Sequence, residues 1–290
     1  MSNGFEFSFG SVRESLREEE AERHDVSCEI TGPVELQSVA ACWCERFDRA
    51  RMMHVEVSGF IVLFQRPPRV STLEGDGRER SDVVQGRYYG GLKVWSCSID
   101  LCRFIASSSY LQKKIADAPF TLEVGCGQGL PSVAALRCGA ASVTLHEYNH
   151  EVIELCTKGN LGANFSDNDM GGRRAMAGQQ VTLVSGDWAF FAPKQKFRVV
   201  LGSDVTFDAQ SCASLISLLP RVLEYPLGVA VIATKEFYFG TGGGVVELTD
   251  LLKQHNNRHP EQKLSITTME SIREDALAMS RCILQLSFAE

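Results

Sequence analysis

Three glycines, Gly125, Gly127 and Gly129, alternate with other residues between an apolar run and a segment opened by Pro131, and Glu123 stands two residues ahead of the first. Glycine lets a chain turn sharply at the carboxyl end of a strand and lets its backbone approach a ligand closely. A dinucleotide loop would read GxGxxG and seat a pyrophosphate on the next helix N-terminus. Here the place of its third glycine is taken by Leu130. A carboxylate at Glu123 would repel phosphates and suit a cationic amine. A second acid, Glu147, follows Gly129 by eighteen residues, where it can accept both hydroxyls of a ribose. NAD enzymes share that acid, so Glu147 alone does not choose the cofactor. A ribose, a cationic amine and no phosphate together describe S-adenosylmethionine. The competing reading is a glycine turn without a ligand and a solvated strand end at Glu147.

Further candidates stand at other strand ends. Gly186, Asp187 and Trp188 close one apolar run, where Asp187 suits an adenine amino group and Trp188 offers a stacking face. Trp95, ahead of the glycine loop, could cover the open side of such a site; for either Trp the alternative is a core side chain. Asp204 ends a later run and could hydrogen-bond an acceptor group, or be an ordinary strand-end acid. Phe207, Tyr238 and Phe239 could wall a substrate slot or simply pack. The glycine run 240–244 would allow close approach of a peptide backbone. Two histidine pairs four apart, His146 with His150 and His255 with His259, lack a third ligand in metal-site spacing, so no metal is expected.

The elements that must carry these residues follow from periodicity. Segments 121–126, 142–148, 181–188, 197–204 and 227–236 are apolar, β-branched and strand-sized, and helical patterns lie over 95–106, 131–138, 151–165, 212–224 and 245–257. Segments 263–270 and 281–290 read as two closing strands with no helix between them, hence an antiparallel edge. Strands alternating with helices predict a doubly wound α/β fold with a mainly parallel seven-stranded, Rossmann-like sheet. Residues 1–91 form an N-terminal extension and 92–290 the sheet domain. Within the extension 11–24 is a solvated helix or disordered, 55–66 a strand, and 67–91 a connector rich in Pro, Gly and charge; 166–180 reads as a loop insertion.

The chain has 290 residues, 29 Lys+Arg against 36 Asp+Glu, and a net charge of −7. That balance disfavours direct nucleic-acid binding, which needs concentrated positive charge. No apolar run approaches the ~20 residues of a bilayer span, and the first twenty residues lack the pattern of a secretory signal. Ten cysteines without a CxxC pair read as mostly buried thiols in a reducing compartment. The expected location is the cytoplasm, with the nucleus as a further site, and the expected state a monomer.

Six segments in order, YYGGLKVWSCSIDL, LEVGCGQGLPSVAAL, HEYNHEVIELCTKGN, SGDW, GSDVTFD and TKEFYFGTGGGV, resemble the protein-histidine N-methyltransferases of the seven-strand, class I methyltransferase superfamily. The N-terminal FEFSFG is similar to that family's start. The GLPSVAAL and EYN segments are shared with related protein-lysine methyltransferases, and Tyr238 to Gly244 is the more discriminating stretch. The family more often has Asp at the places of Glu123 and Glu147, a change that keeps the charge. The resemblance implies transfer of a methyl group from S-adenosylmethionine to an imidazole nitrogen of a histidine in a basic protein, large-subunit ribosomal protein three. It also implies cofactor contacts at Val94, Trp95, Ser96, Cys97 and Ser98, at Gly125, at Glu147 and Tyr148, at Gly186, Asp187 and Trp188, and at Ser203. Two other readings remain: a protein-lysine methyltransferase, and a cofactor-binding assembly partner without catalysis.

Overall fold

The computed structural model describes residues 28–66, 82–83, 87–166, 175–273 and 279–289. The expectation for 11–24, and most of those for 67–91 and 166–180, lie outside these.

The core of the fold is a run of strands whose alternate residues serve opposite faces. β5 (Thr121–Val124), β6 (Ser142–Glu147), β7 (Gln180–Ser185), β8 (Val199–Ser203) and β9 (Val229–Lys235) run parallel in the order β7-β6-β5-β8-β9. β11 (Arg281–Phe288) then pairs antiparallel with β9, and β10 (Leu264–Ile272) antiparallel with β11. Side chains on a strand point alternately up and down. Accordingly Leu201, Val229 and Val231 enter one hydrophobic cluster, while Val200, Ala230 and Ile232 enter the other. Such strands must be apolar on both faces, which is why they read as unbroken hydrophobic runs.

Helices cover both faces. α2 (Ser96–Ser107), α3 (Ser109–Ala116) and α4 (Leu130–Arg137) supply Leu101, Ile105, Ile115 and Val133 to the first cluster. α7 (Ala209–Val222) and α8 (Val245–Arg258) supply Leu215, Leu219, Leu248 and Leu252 to the second. The expected helix over 151–165 is interrupted: α5 (His150–Val152) and α6 (Lys158–Phe165) flank a π-helical turn, Ile153–Thr157. None of the described helices is long and apolar enough to cross a membrane.

Two expectations need amending. The sheet has nine strands, because the short β1 (Glu29–Ile30) and β2 (Val34–Glu35) both pair antiparallel with β7. Residues 55–66 are part of a hairpin of β3 (Met52–Val57) and β4 (Phe60–Gln65), separate from the main sheet, and not one strand. The reason is Gly59, whose φ of 87° reverses the chain in the middle of a run that alternates correctly on both sides. α1 (Leu36–Cys44) lies so close on α6 that a Cβ at Gly162 would stand 2.1 Å from the Cys44 backbone nitrogen.

β5 sits where the strand order reverses, with β6 on one side and β8 on the other. In open α/β sheets a crevice forms at that switch point, beyond the carboxyl ends of the strands. Register puts Val124 beside His146 and Gly202, so Gly125, Glu147 and Ser203 emerge together.

Candidate active site

An open cleft of about 990 Å³, counting solvent at its mouth, lies at this switch point. Its floor is the glycine loop. Gly125 has φ 59° and Gly127 φ 50°, and a Cβ would meet Val205 Cγ1 at 2.7 Å from the first and the Gly91 carbonyl at 3.1 Å from the second. The loop is clamped from three directions. Thr157 Oγ1, turned inward by the π-helical turn, donates to the Gly127 carbonyl at 2.7 Å. Asn160 Nδ2 donates to the Gln128 carbonyl at 3.0 Å, and Gln128 Nε2 donates to the Leu92 carbonyl at 2.5 Å.

Glu147 forms one wall. Its carboxylate accepts from Gly127 N at 2.8 Å and from Asn149 N at 3.1 Å, yet the residue is only 3% exposed. Burial pushes its pKa up, and the backbone N–H groups of Asn149, Gly127 and Tyr148 oppose that rise. A strap over 87–95 closes the site above it. Tyr88 Oη accepts from Leu92 N at 3.1 Å, Asn149 Nδ2 donates to the Arg87 carbonyl at 2.7 Å, and Trp95 Nε1 donates to the Gly90 carbonyl at 3.0 Å. An aromatic wall follows, with Tyr89 edge-on to Tyr148 at 4.7 Å between ring centroids and tilted against Phe207 at 6.1 Å.

Asp204 also lines the cleft, in the left-handed region at φ 54°. Aspartate tolerates this conformation better than most residues, but it persists only where the surroundings hold it. They do so here: Asp204 N donates to the Ala233 carbonyl at 3.0 Å, Tyr238 Oη donates to Oδ1 at 2.6 Å, and Cys97 N donates to Oδ2 at 3.2 Å. Lys235 Nζ lies 3.9 Å from Oδ1. Burial, then the negative Asp204, pushes the Tyr238 phenol up, so it stays protonated as a donor.

A family model described as lysine methyltransferase matches residues 84–237, just over half of the 290 residues. The chain belongs to this family. Among relatives, the histidine protein methyltransferase 1 homolog of Dictyostelium discoideum is 32% identical over 212 residues, covering 72% of this chain and 61% of that protein. The Bos taurus protein of the same name is 27% identical over 262 residues, covering 82% and 66%. The chain therefore spans less than two thirds of the length of these curated relatives. A solved structure from Streptococcus mutans, described as a SAM-dependent methyltransferase, superposes with a TM-score of 0.51 at 13% identity over 82% of this chain and 56% of that one. At that identity the likeness is one of fold.

The donor set of the cleft fits S-adenosylmethionine, the methyl donor that membership of this family implies. Glu147, Asp187 and Asp204 all line the cleft, against one lining cation, Lys93, which is bound to Asp82 at 3.0 Å. Three acids repel a pyrophosphate and suit a ligand bearing an ammonium and a sulfonium. An ionised carboxylate has about four acceptor sites, so Glu147 retains capacity for ribose hydroxyls beside its backbone donors. Glycine positions that a Cβ would fill form the cradle beneath.

Of the residues singled out from the sequence, Val94, Trp95, Ser98, Gly125, Gly127, Glu147, Tyr148, Asp187, Trp188, Ser203 and Asp204 line the cleft together. Others do not. Glu123, expected to face the cofactor amine, is 0% exposed and turned under α4: its Oε2 accepts from Ser132 N at 2.9 Å and Oγ at 2.5 Å. Its Oε1 has no hydrogen-bond partner among the described residues, and burial pushes the carboxyl up to about 8. Ser96 and Cys97 belong to the first turn of α2, where Cys97 N serves Asp204. Gly186 is absent from the lining and donates its N–H to the Glu147 carbonyl at 3.0 Å. Tyr238 is not a slot wall but a buried support behind Asp204, and Phe239 is 78% exposed, edge-on to Phe237 outside the cleft. Sequence reasoning passed over Tyr89, Gly90 and Gly91 in the strap and Gln210, Ser211 and Ser214 on α7. The paired glycines beside two tyrosines were the available signal for the strap; the α7 residues carry none, being ordinary polar side chains of a helix.

Proposed function

We propose that this chain transfers a methyl group from S-adenosylmethionine to an imidazole nitrogen of a histidine in a basic protein, which we take to be large-subunit ribosomal protein three. It would act as a monomer in the cytoplasm, with the nucleus as a further site, without binding nucleic acid directly. The observation that carries the reading is a cleft lined by three aromatic rings, Tyr89, Tyr148 and Phe207, together with a rigidly held carboxylate, a set of groups suited to a flat ring bearing one N–H. The names of the relatives support histidine as acceptor, while the family's description favours lysine; the acceptor is what an experiment must decide.

Bound S-adenosylmethionine supplies an electrophilic methyl group on its sulfonium. The protein's own residues then have a modest task. A neutral imidazole, with a pKa near 6.5, presents a free lone pair through much of its population at pH 7. Asp204 accepts the N–H of the non-reacting ring nitrogen and so selects the tautomer whose lone pair faces the methyl. Tyr238 and Cys97 N keep the Asp204 carboxylate from rotating away. Tyr89, Tyr148 and Phe207 flank the ring and exclude water. Transfer would leave the ring cationic beside the Asp204 carboxylate, which would hold the remaining N–H until that proton passes to solvent. Alignment of this kind can supply ~7–11 kcal/mol of a displacement barrier. A lysine acceptor would instead have to lose a proton with pKa near 10.4 before attack.

The test is incubation with methyl-labelled S-adenosylmethionine and heat-treated cell extract, then total hydrolysis. Label in methylhistidine is the expected outcome. Label in methyllysine would transfer the assignment to that acceptor, and an unlabelled hydrolysate beside normal cofactor binding would favour the assembly partner.

A further inference from the structure

We propose that Lys235 determines which acceptor the site takes, by neutralising Asp204 and repelling an incoming ammonium. The inference rests on the reading of the site as a histidine methyltransferase.

Asp204 is the carboxylate assigned to meet the acceptor, and about half of its hydrogen-bonding capacity and much of its charge are engaged before any substrate arrives. Tyr238 Oη, Cys97 N and the Lys235 ammonium all converge on it, at 2.6, 3.2 and 3.9 Å. Of about four acceptor sites on an ionised carboxylate, two are taken by hydrogen bonds, and Lys235, too far away to hydrogen-bond, offsets the charge instead. The lysine is also held in place. It ends β9, its side chain is 20% exposed, and its Nζ lies 4.8 Å over the Tyr238 ring and 5.4 Å from the Trp95 ring. Its cross-strand neighbour Arg281 cannot replace it, because that guanidinium is bound to Asp100 at 2.5 Å.

A protonated lysine entering here would find the negative charge of Asp204 already matched and a fixed like charge beside it. An imidazole enters neutral and so meets neither obstacle on binding; its positive charge develops only as the methyl group is transferred. Repulsion between like charges is strongest where water is excluded, and placing an unfavourable charge against the wrong partner is a general route to specificity. A site built to bind a lysine ammonium would be better served by an apolar or uncharged residue at this position.

The experiment starts from the protein labelled by the wild type in heat-treated extract. The modified peptide is sequenced, then synthesised with histidine and with lysine at the target position. The two peptides are compared as acceptors for the wild type and for Lys235→Met, which keeps the length of the side chain over Trp95 and removes its charge; Lys235→Gln serves if the Met variant does not fold. The lysine-to-histidine ratio of kcat/KM is expected to rise at least tenfold in Lys235→Met and to stay near the wild-type value in Lys235→Arg. A ratio unchanged in the neutral variants, or altered equally in Lys235→Arg, would overturn the assignment while leaving histidine methylation intact. Wild-type label in methyllysine would overturn both.

Discussion

Asp204 shows how much of this site depends on single side chains held by others. Replacing it with Asn keeps the size and preserves an oxygen for one donor, but removes the charge that Tyr238, Cys97 N and Lys235 converge on. Asp204→Asn is expected to lower methyl transfer by roughly 10²–10⁴-fold, the range for loss of a positioned proton acceptor. Cofactor affinity, measured by calorimetry, should change little, and full activity in this variant would exclude the orienting role. Glu123 makes a different prediction, one about stability. Its carboxyl is pushed up to about 8 in the folded protein from an ordinary 4.5. Stability is therefore fully present below about pH 4.5 and is lost as pH rises through 8, by up to ~1.4 kcal/mol per pH unit. The buried His146, lowered to about 3 by desolvation, acts in the opposite direction, but only below about pH 6.5. Between pH 6.5 and 8 the contribution of Glu123 stands apart. In Glu123→Gln, urea unfolding across that window should show a slope smaller by about one proton; an identical slope would mean that the buried carboxyl is already ionised.

At the scale of elements, the site depends on contacts that bring distant segments against the glycine loop. The π-helical turn Ile153–Thr157 is the clearest case, since it directs Thr157 Oγ1 onto the Gly127 carbonyl. Extra turns of this kind inside α-helices recur at functional sites. The helix that follows is held by α1 through Gly162, where a Cβ would fall 2.1 Å from a backbone nitrogen. Backbone cannot yield as a flexible side chain can. Gly162→Ala is accordingly expected to destabilise the fold by ~1–3 kcal/mol or more, the usual cost of overpacking, and thermal unfolding should detect it as a drop of several degrees. Unchanged melting would show that α1 can move away from α6 freely.

For the whole molecule, net charge links the sheet's architecture to its proposed partner. A chain at −7 attracts a basic protein over distances that salt shortens, because the Debye length falls from about 10 Å at 0.1 M to about 3 Å at 1 M. Methylation of the protein target should therefore slow markedly between 0.05 and 0.5 M salt through a rise in KM, while cofactor affinity changes far less. A flat salt profile would argue against a basic target. Lys93 and Lys235 do not conflict with this field. Each acts across a few ångströms, Lys93 on Asp82 and Lys235 on Asp204, whereas steering depends on the summed charge.

The strand-to-helix rhythm, the switch point and the glycine loop were all legible in the sequence. Parallel buried strands must be apolar throughout, and a sharp turn at a strand end needs glycine, so each leaves a local mark. Glu147, Asp187 and Trp188 could be found for the same reason, since Glu147 ends β6 and Asp187 and Trp188 follow β7 by two and three residues, at the carboxyl ends that open on the crevice. Position after a strand does not reveal where a side chain turns. Glu123 precedes its loop just as a ligand-facing acid would, and only packing against α4 showed that its carboxylate belongs to Ser132. Tyr238, Cys97 and Lys235 meet at Asp204 from β8, β9, the loop after β9 and the first turn of α2, segments as much as 141 residues apart in the chain. No local pattern encodes such a meeting. Sequence determined which strand ends open into the crevice, because burial and turn geometry act between neighbours along the chain. Tertiary structure decided which charges face one another there, because electrostatic pairing acts through space.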